Sequence, residues 1–230
     1  MNFKIVVLLI TLAALAGCAT TPPMSLTKQE QVDIGTFNGI LFIPQSSLLV
    51  TVAPTNAAGA GFIGVLVAAG IDAARRSSAE TDAASILAQV KDYDFRTVMS
   101  KNSDAELLKV EKVKLNAPLK VEIVNSDTQK RIDFDDSTAN SVLFLDVSYQ
   151  LQSGNLYVNA SAVMFPKSKN LLQYRKKPDD LNPLSPGNAI YRKQFNFGKQ
   201  NVTADQIKDG LTEGATSIAS QLSDDLNHGL

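Results

Sequence analysis

The sequence predicts an α+β domain, with a mostly antiparallel sheet covered by Gly/Ala-rich helices and a C-terminal amphipathic helix. Three observations predict it. Residues 142–151 and 156–165 alternate apolar and polar side chains on either side of Gln152-Ser153-Gly154-Asn155, the pattern of a hairpin. Ile207, Leu211, Gly214, Ala215, Ile218, Leu222 and Leu226 recur at helical spacing, one face of a long helix. Residues 83–110, well before both, also carry helical rather than strand spacing.

In chain order, Gly39-Ile40-Leu41-Phe42-Ile43 and Leu48-Leu49-Val50-Thr51-Val52 read as strands, and Pro44-Gln45-Ser46-Ser47 between them has hairpin chemistry. Pro54 stops the second strand. Ala57 to Ile71 is fifteen residues without a polar side chain, with Ala60, Gly64 and Ala68 on one stripe. That stripe suits a buried helix closely approached by a neighbour. Membrane insertion, alone or as an oligomer, is the competing reading, although a span needs roughly 20 apolar residues. Gly59, Gly61 and Gly64 also spell Gly-x-Gly-x-x-Gly. The dinucleotide fold needs a tight turn straight from strand to first glycine, and residues 54–58 intervene. Ser77 and Glu80 have capping-box spacing ahead of Ala83, Ala84, Ile86, Leu87 and Val90. After a bend at Asp92-Tyr93-Asp94 the helical pattern resumes with Tyr93, Phe95, Val98 and Met99. Ser103 with Glu106 marks a further helix start before Leu107, Leu108 and Val110.

Beyond Pro118 the period becomes two: Leu119, Val121 and Ile123 alternate with Lys120 and Glu122, a half-buried strand. Asn125 to Asn140 is polar and reads as a solvated loop. Asp133, Asp135 and Ser137 alternate as calcium ligands do, but no glycine and no closing glutamate follow. Val142 and Phe144 make the start of the next strand apolar on both faces, which places that end inside a covered sheet. Pro166 to Asn188 is a long loop carrying Lys167, Lys169, Arg175, Lys176 and Lys177. It is either solvated and balanced by Asp179 and Asp180, or in touch with anionic headgroups, lipopolysaccharide or cell-wall carboxylates. Tyr191, Lys193, Phe195 and Phe197 alternate with Arg192, Gln194 and Asn196, a strand nearer an edge. Thr203 with Gln206 caps the final helix.

Composition excludes much chemistry. A net charge of -1 gives no basic footprint for nucleic acid. The hydrophobic fraction of 44% allows one sizeable core. The single histidine, His228, stands three residues from the end, so a histidine triad or a zinc site cannot be assembled. Asp135/Asp136, Asp179/Asp180 and Asp224/Asp225 are adjacent pairs that on a strand point apart, and Asp146 follows a polar face with Ser148 and Gln150. Asp92 and Asp94 read as solvated or capping groups. No residue is singled out as catalytic, metal-ligating or cofactor-binding, and no cofactor is expected.

The first residues carry the strongest signal. Lys4 precedes an apolar run from Ile5 to Ala14, too short to span a bilayer, and Leu15-Ala16-Gly17-Cys18 closes it with the chain's single cysteine. This resembles a bacterial lipoprotein signal with its lipobox. The resemblance implies cleavage before Cys18, a thioether-linked diacylglycerol on its sulfur and acylation of the new N-terminus. Two or more acyl chains hold a protein firmly where one does so marginally. Ala19 in place of an aspartate implies, by the same resemblance, the outer membrane. The expected organisation is a signal peptide over 1–17, a lipidated tether over 18–38 and one α+β domain over 39–230.

Strand, helices, several strands and a final helix make an element order similar to that of envelope lipoproteins with a TolB N-terminal-like domain. Those include activators of cell-wall synthases and curli-type secretion lipoproteins, and the similarity implies a protein-binding or assembly role. The expected function is therefore a lipid-anchored, periplasm-facing interaction module that is not an enzyme. A carrier of a lipid or other apolar ligand, or an oligomer inserting residues 57–71, are the alternatives. Expected partners are the membrane, through lipidated Cys18, and an envelope protein; no nucleic acid is expected.

Overall fold

The computed structural model describes residues 22–51, 86–177 and 179–229. Cys18, the Ala57–Ile71 run and the Ser77–Glu80 cap lie outside them. The described chain is α+β, with its sheet in the order β3-β1-β5-β6-β7. The elements are α1 (Lys28–Ile34), β1 (Thr36–Phe42), β2 (Leu49–Thr51), α2 (Phe95–Leu107), β3 (Lys114–Leu115), β4 (Lys120–Glu122), α3 (Asp127–Asp136), β5 (Ser141–Gln152), β6 (Asn155–Pro166), β7 (Tyr191–Lys199) and α4 (Ile207–His228). Residues 86–90 are also helical.

The β5–β6 hairpin forms in the expected register, with Leu151 opposite Leu156 and Val142 opposite Phe165. Its turn places Ser153 and Gly154 at positive φ, 48° and 77°, which matches the right-handed strand twist. β7 adds antiparallel to β6. The other side of β5 departs from expectation: the sheet is mixed, not mostly antiparallel. β1 runs parallel to β5, β3 and β4 run parallel to β1, and β2 runs parallel to β5.

The expected hairpin between residues 39–43 and 48–52 does not form, because both segments lie end to end along the same edge of β5. Pro44 lacks a ladder donor, and no residue between the strands favours positive φ, so the chain kinks onward rather than reversing. The Gln45 side chain fills the gap. Its Nε2 donates to Tyr149 O at 2.9 Å and its Oε1 accepts from Tyr149 N at 2.9 Å, as a strand residue would. Arg96 of α2 locks the same kink by donating to Ile43 O (2.9 Å) and Gln45 O (2.6 Å).

Three other expectations change. Residues 28–38, expected within the tether, form α1 and the start of β1. Thr27 and Glu30 make a reciprocal capping box, and Leu26 and Ile34 are buried. Ser103 and Glu106 do not open a helix: they lie inside α2, where Ser103 faces the core with Phe95, Met99 and Leu107 at helical spacing. Asp94 caps that helix instead, at the expected bend, accepting from Thr97 N at 3.2 Å. The Asn125–Asn140 stretch is a helix, α3, started by Ser126, whose hydroxyl accepts from Gln129 N at 3.1 Å. Polar residues that read as solvated loop are sufficient for a helix that docks by few apolar side chains.

One face of the sheet carries the main core. Leu143, Leu145, Val147, Tyr149, Val158, Ala162 and Met164 meet α2 and α4 there. α4 lies tight on β6 and β7 at its glycines: a Cβ on Gly214 would stand 2.6 Å from Val158 Cγ2 and 2.9 Å from Phe197 Cδ1. Gln31 of α1 donates to Leu226 O at 2.8 Å, tying the N-terminal segment to the end of α4. The opposite face holds a second, smaller core of Ile40, Phe42, Val142, Phe144, Phe165, Ala189 and Phe134. This confirms the start of β5 as a doubly covered strand end.

Candidate functional site

The second face is covered only at one end, and a cleft of about 820 Å³ opens beside the cover. Its walls are α3 and the turn at 182–186. Its floor is Phe144, Val163 and Phe165, with Asp146 and Arg192 beyond them on the sheet. Phe42, Phe144 and Phe165 stack in tilted pairs, with centroids 5.9 and 6.0 Å apart, so the floor is rigid.

Each wall is held by polar contacts that the local sequence supplies. At the C-terminal end of α3, Lys167 Nζ donates to Phe134 O and Asp135 O at 2.6 Å each, and to Ser137 O. A cation there satisfies carbonyls that the helix leaves unpaired and complements its dipole. Asp133, buried on the inner side of α3, accepts from Lys120 Nζ at 2.6 Å and from Gln129 at 3.1 Å. The turn wall organises itself. Asp180 accepts from Asn182 N at 3.0 Å, Asn182 from Leu184 N at 3.1 Å, and buried Asn188 donates to Asn182 O at 2.8 Å. The Ser185 hydroxyl and the Asn182 amide hold the Asp180 carboxyl below the usual carboxylate range.

The charges of the cleft are placed around its apolar floor. Lys130 Nζ pairs with Asp146 Oδ2 at 3.0 Å and lies 5.2 Å above the Phe42 ring. Asn125 donates to the other Asp146 oxygen at 2.7 Å. Arg131 Nε pairs with Asp135 at 2.7 Å on the exposed side of α3. Arg192 Nη2 donates to Pro186 O at 2.6 Å, joining β7 to the turn. The cleft therefore offers the apolar side chains of Ile132, Val163 and Leu184 over a buried aromatic base, bordered by Lys130, Arg131 and Arg192, with Asp127 and Asp146 as the acids of its lining. Its lining contains neither His nor Cys.

Among the sequence-level candidates, Cys18 and the Gly59-Gly61-Gly64 pattern lie outside the described residues. Asp94 is a helix cap. Asp135 is paired with Arg131, and Asp225 with Lys193 at 3.0 Å. His228 Nδ1 meets Asp224 O at 2.7 Å at the end of α4. Asp133, Asp135 and Ser137 belong to a helix end rather than a calcium loop, and among the described residues no group of His, Cys, Asp or Glu is placed to hold a metal. Only Asp146 of the acids weighed falls in the cleft. Sequence reasoning missed Lys130, Arg131 and Arg192, because α3 read as loop and nothing in the spacing brings β7 near it. The signal that did point here was the doubly apolar start of β5 at Val142 and Phe144. A smaller hollow of about 280 Å³ lies between Ser46, Leu87, Tyr93 and Leu211. No described helix is long and apolar enough to cross a membrane.

No family model matches the chain, and no curated protein matches it. Among solved structures, an uncharacterized protein is similar at 8% identity and a TM-score of 0.38, over 89% of this chain and 96% of that one. A PelC dodecamer from Paraburkholderia phytofirmans is similar at 9% identity and a TM-score of 0.32, over 90% of this chain and 94% of that one.

Proposed function

We propose that this chain is a lipid-anchored envelope protein, held at the outer membrane by Cys18 and facing the periplasm, and that it works as a non-catalytic interaction module. The observation that carries the interaction role is the half-covered second sheet face. The main core is filled by α2 and α4, while over the buried Phe144 and Phe165 a cleft stays open between α3 and the 182–186 turn, with half-buried Val163 and Leu184 and exposed Ile132 in its lining. The occupant best matched to it is a segment of an envelope protein that presents an apolar side chain next to an acidic one. The apolar group would sit on the aromatic floor and the carboxylate would meet Arg131 or Arg192.

An open cleft favours that occupant over the alternative of a lipid carrier. Small-molecule sites commonly bury 70–90% or more of their ligand, and this cleft is walled on two sides only. Leu184 and Ile132 stand at its border as contacts for a longer partner surface.

Photo-crosslinking residues placed at Ile132 and at Leu184 test the reading in intact cells. A discrete protein adduct is expected from both positions and none from Gln221, on the exposed side of α4. Adducts of equal strength at all three positions, or at none, remove the interaction role. Mass analysis of the mature protein tests the anchor separately: residue 18 should carry the acyl groups as the first residue.

A further inference from the structure

We infer that one corner of the molecule, around Lys176, Lys177 and Leu181, lies against the surface of an anionic phospholipid bilayer. The inference rests on the reading of Cys18 as the lipidated residue. It follows from how soon after Cys18 the chain becomes fixed.

Met24 is already part of the fold. Its N–H donates to Arg192 O at 2.7 Å and its carbonyl accepts from Arg192 N at 2.9 Å, an isolated antiparallel bridge on the outer edge of β7. Six residues of chain from Cys18 to Met24 reach at most about 20 Å even when fully extended. The β7 edge is thereby kept within that distance of the headgroups.

The groups next to Met24 are suited to such a surface. Arg192 donates its guanidinium to Pro186 O. The neighbouring Gly187 lies under the methylene stem of Lys177: a Cβ there would stand 2.9 Å from Lys177 Cδ. Lys177 O in turn accepts from Asp180 N at 3.0 Å, a turn followed directly by Leu181. Met24, Arg192, Pro186, Gly187, Lys177 and Leu181 thus form one connected patch. Leu181 is 98% exposed, far more than any other large apolar residue described. Lys176 and Lys177 are exposed, and Lys177 stands near enough to Asp180 to favour its ionised form. The acids nearby keep their charge, but their hydrogen bonds hold them to their own turn or helix. Asp180 holds its own turn, Glu30 caps α1, and Asp33 accepts from Tyr174 OH and from Gln29. Asp179 is the exposed acid of the turn. Cations around a projecting leucine, beside the anchored end of the chain, fit a surface with anionic headgroups above an apolar interior.

The chain contains no tryptophan and a single cysteine, which makes the test direct. Leu181→Trp, in the chain beginning at Cys18, is coupled through the Cys18 thiol to a maleimide lipid. The lipid is carried in vesicles of phosphatidylcholine alone or of equal parts phosphatidylcholine and phosphatidylglycerol. On the mixed vesicles Trp emission should shift to shorter wavelength and be quenched by brominated lipid. The shift should shrink on phosphatidylcholine alone and in Lys176→Glu/Lys177→Glu. Lys208→Trp, on the exposed first turn of α4 at the opposite end of the sheet, should show neither effect. Emission at Leu181→Trp unchanged on the mixed vesicles, or matched by Lys208→Trp, overturns the inference. Because coupling imposes the anchor chemically, this outcome is independent of whether cells lipidate Cys18, which the mass of the native protein decides.

Discussion

At the scale of single residues, the fold depends on side chains that stand in for backbone. Gln45 completes the ladder between β1 and β2 by exchanging two hydrogen bonds with Tyr149. Gln45→Ala would leave a donor and an acceptor of a buried strand unpaired, which costs about 1–3 kcal/mol for each group that water cannot reach. The urea midpoint should fall with the slope unchanged, and Gln45→Glu, which sets a carboxylate oxygen against the Tyr149 carbonyl, should also lie below the natural chain. An unchanged midpoint in Gln45→Ala would show that solvent replaces the amide. Asp94 gives a pH-dependent case. Its bonds from the Thr97 hydroxyl and amide hold its pKa below the usual carboxylate value. A depressed folded-state pKa means stability that is present above the unfolded value near 3.9 and lost as pH falls through the lower folded value. Asp94→Ala should therefore cost about 1 kcal/mol at neutral pH, the ordinary worth of an N-cap. The gap between it and the natural chain should narrow as pH drops below about 4. A gap constant from pH 7 to 3 would count against the cap.

At the scale of elements, α4 and the β5–β6 hairpin were legible because each buries a full periodic face, and periodicity is what sequence displays. α3 was not legible. It docks through Phe134 and the Asp133–Lys120 and Lys130–Asp146 pairs, one apolar side chain among polar ones, so its polar composition resembles a loop. Its C-terminal end is held by Lys167, which sequence reading assigned only to a basic loop. Lys167→Met should leave three carbonyls without their donor and loosen the last turn of α3. Hydrogen exchange at residues 131–136 should accelerate, with α4 unaffected; exchange unchanged in α3 would mean the cation is dispensable. The glycines of α4 supply a paired test of close packing. Gly214→Ala adds a methyl facing the Val158 methyl, and a β-branched residue held in a strand has little rotamer freedom with which to yield. Overpacking of about 1–3 kcal/mol should outweigh the roughly 1 kcal/mol gained in helix propensity, so the variant is less stable. At Gly210 the near atom, at 2.7 Å, is Leu156 Cδ2, the far end of a flexible side chain. Gly210→Ala should be close to neutral. Equal urea midpoints for the two variants would remove the distinction.

At the scale of the whole molecule, strand direction and the beginning of the fold were not written in local patterns. β1 and β5 are neighbours in parallel although 98 residues separate Phe42 from Ser141; alternation identifies a strand but carries no information about its partner or its direction. The N-terminal segment misled for a related reason. Thr20-Thr21-Pro22-Pro23 and Thr27-Lys28-Gln29-Glu30-Gln31 are polar, and only the completed fold shows that Leu26 and Ile34 are buried among distant residues, that Gln31 holds Leu226 O, and that Met24 bridges β7. The two readings of this segment differ in a measurable way. If residues 24–35 were tether, a chain starting at Thr36 would be as stable as one starting at Pro22. The structure predicts otherwise. The shorter chain loses two fully buried aliphatic side chains, each worth about 1.5–3 kcal/mol in burial alone, and exposes the part of the main core they covered. Such a loss is a large fraction of the 5–15 kcal/mol that usually separates folded from unfolded states. Thermal unfolding followed by circular dichroism should show the chain from Pro22 melting cooperatively. The chain from Thr36 should melt many degrees lower or show no cooperative transition. The double variant Leu26→Ala/Ile34→Ala in the longer chain should reproduce much of the loss with the anchor distance unchanged, which separates the packing of this segment from its length.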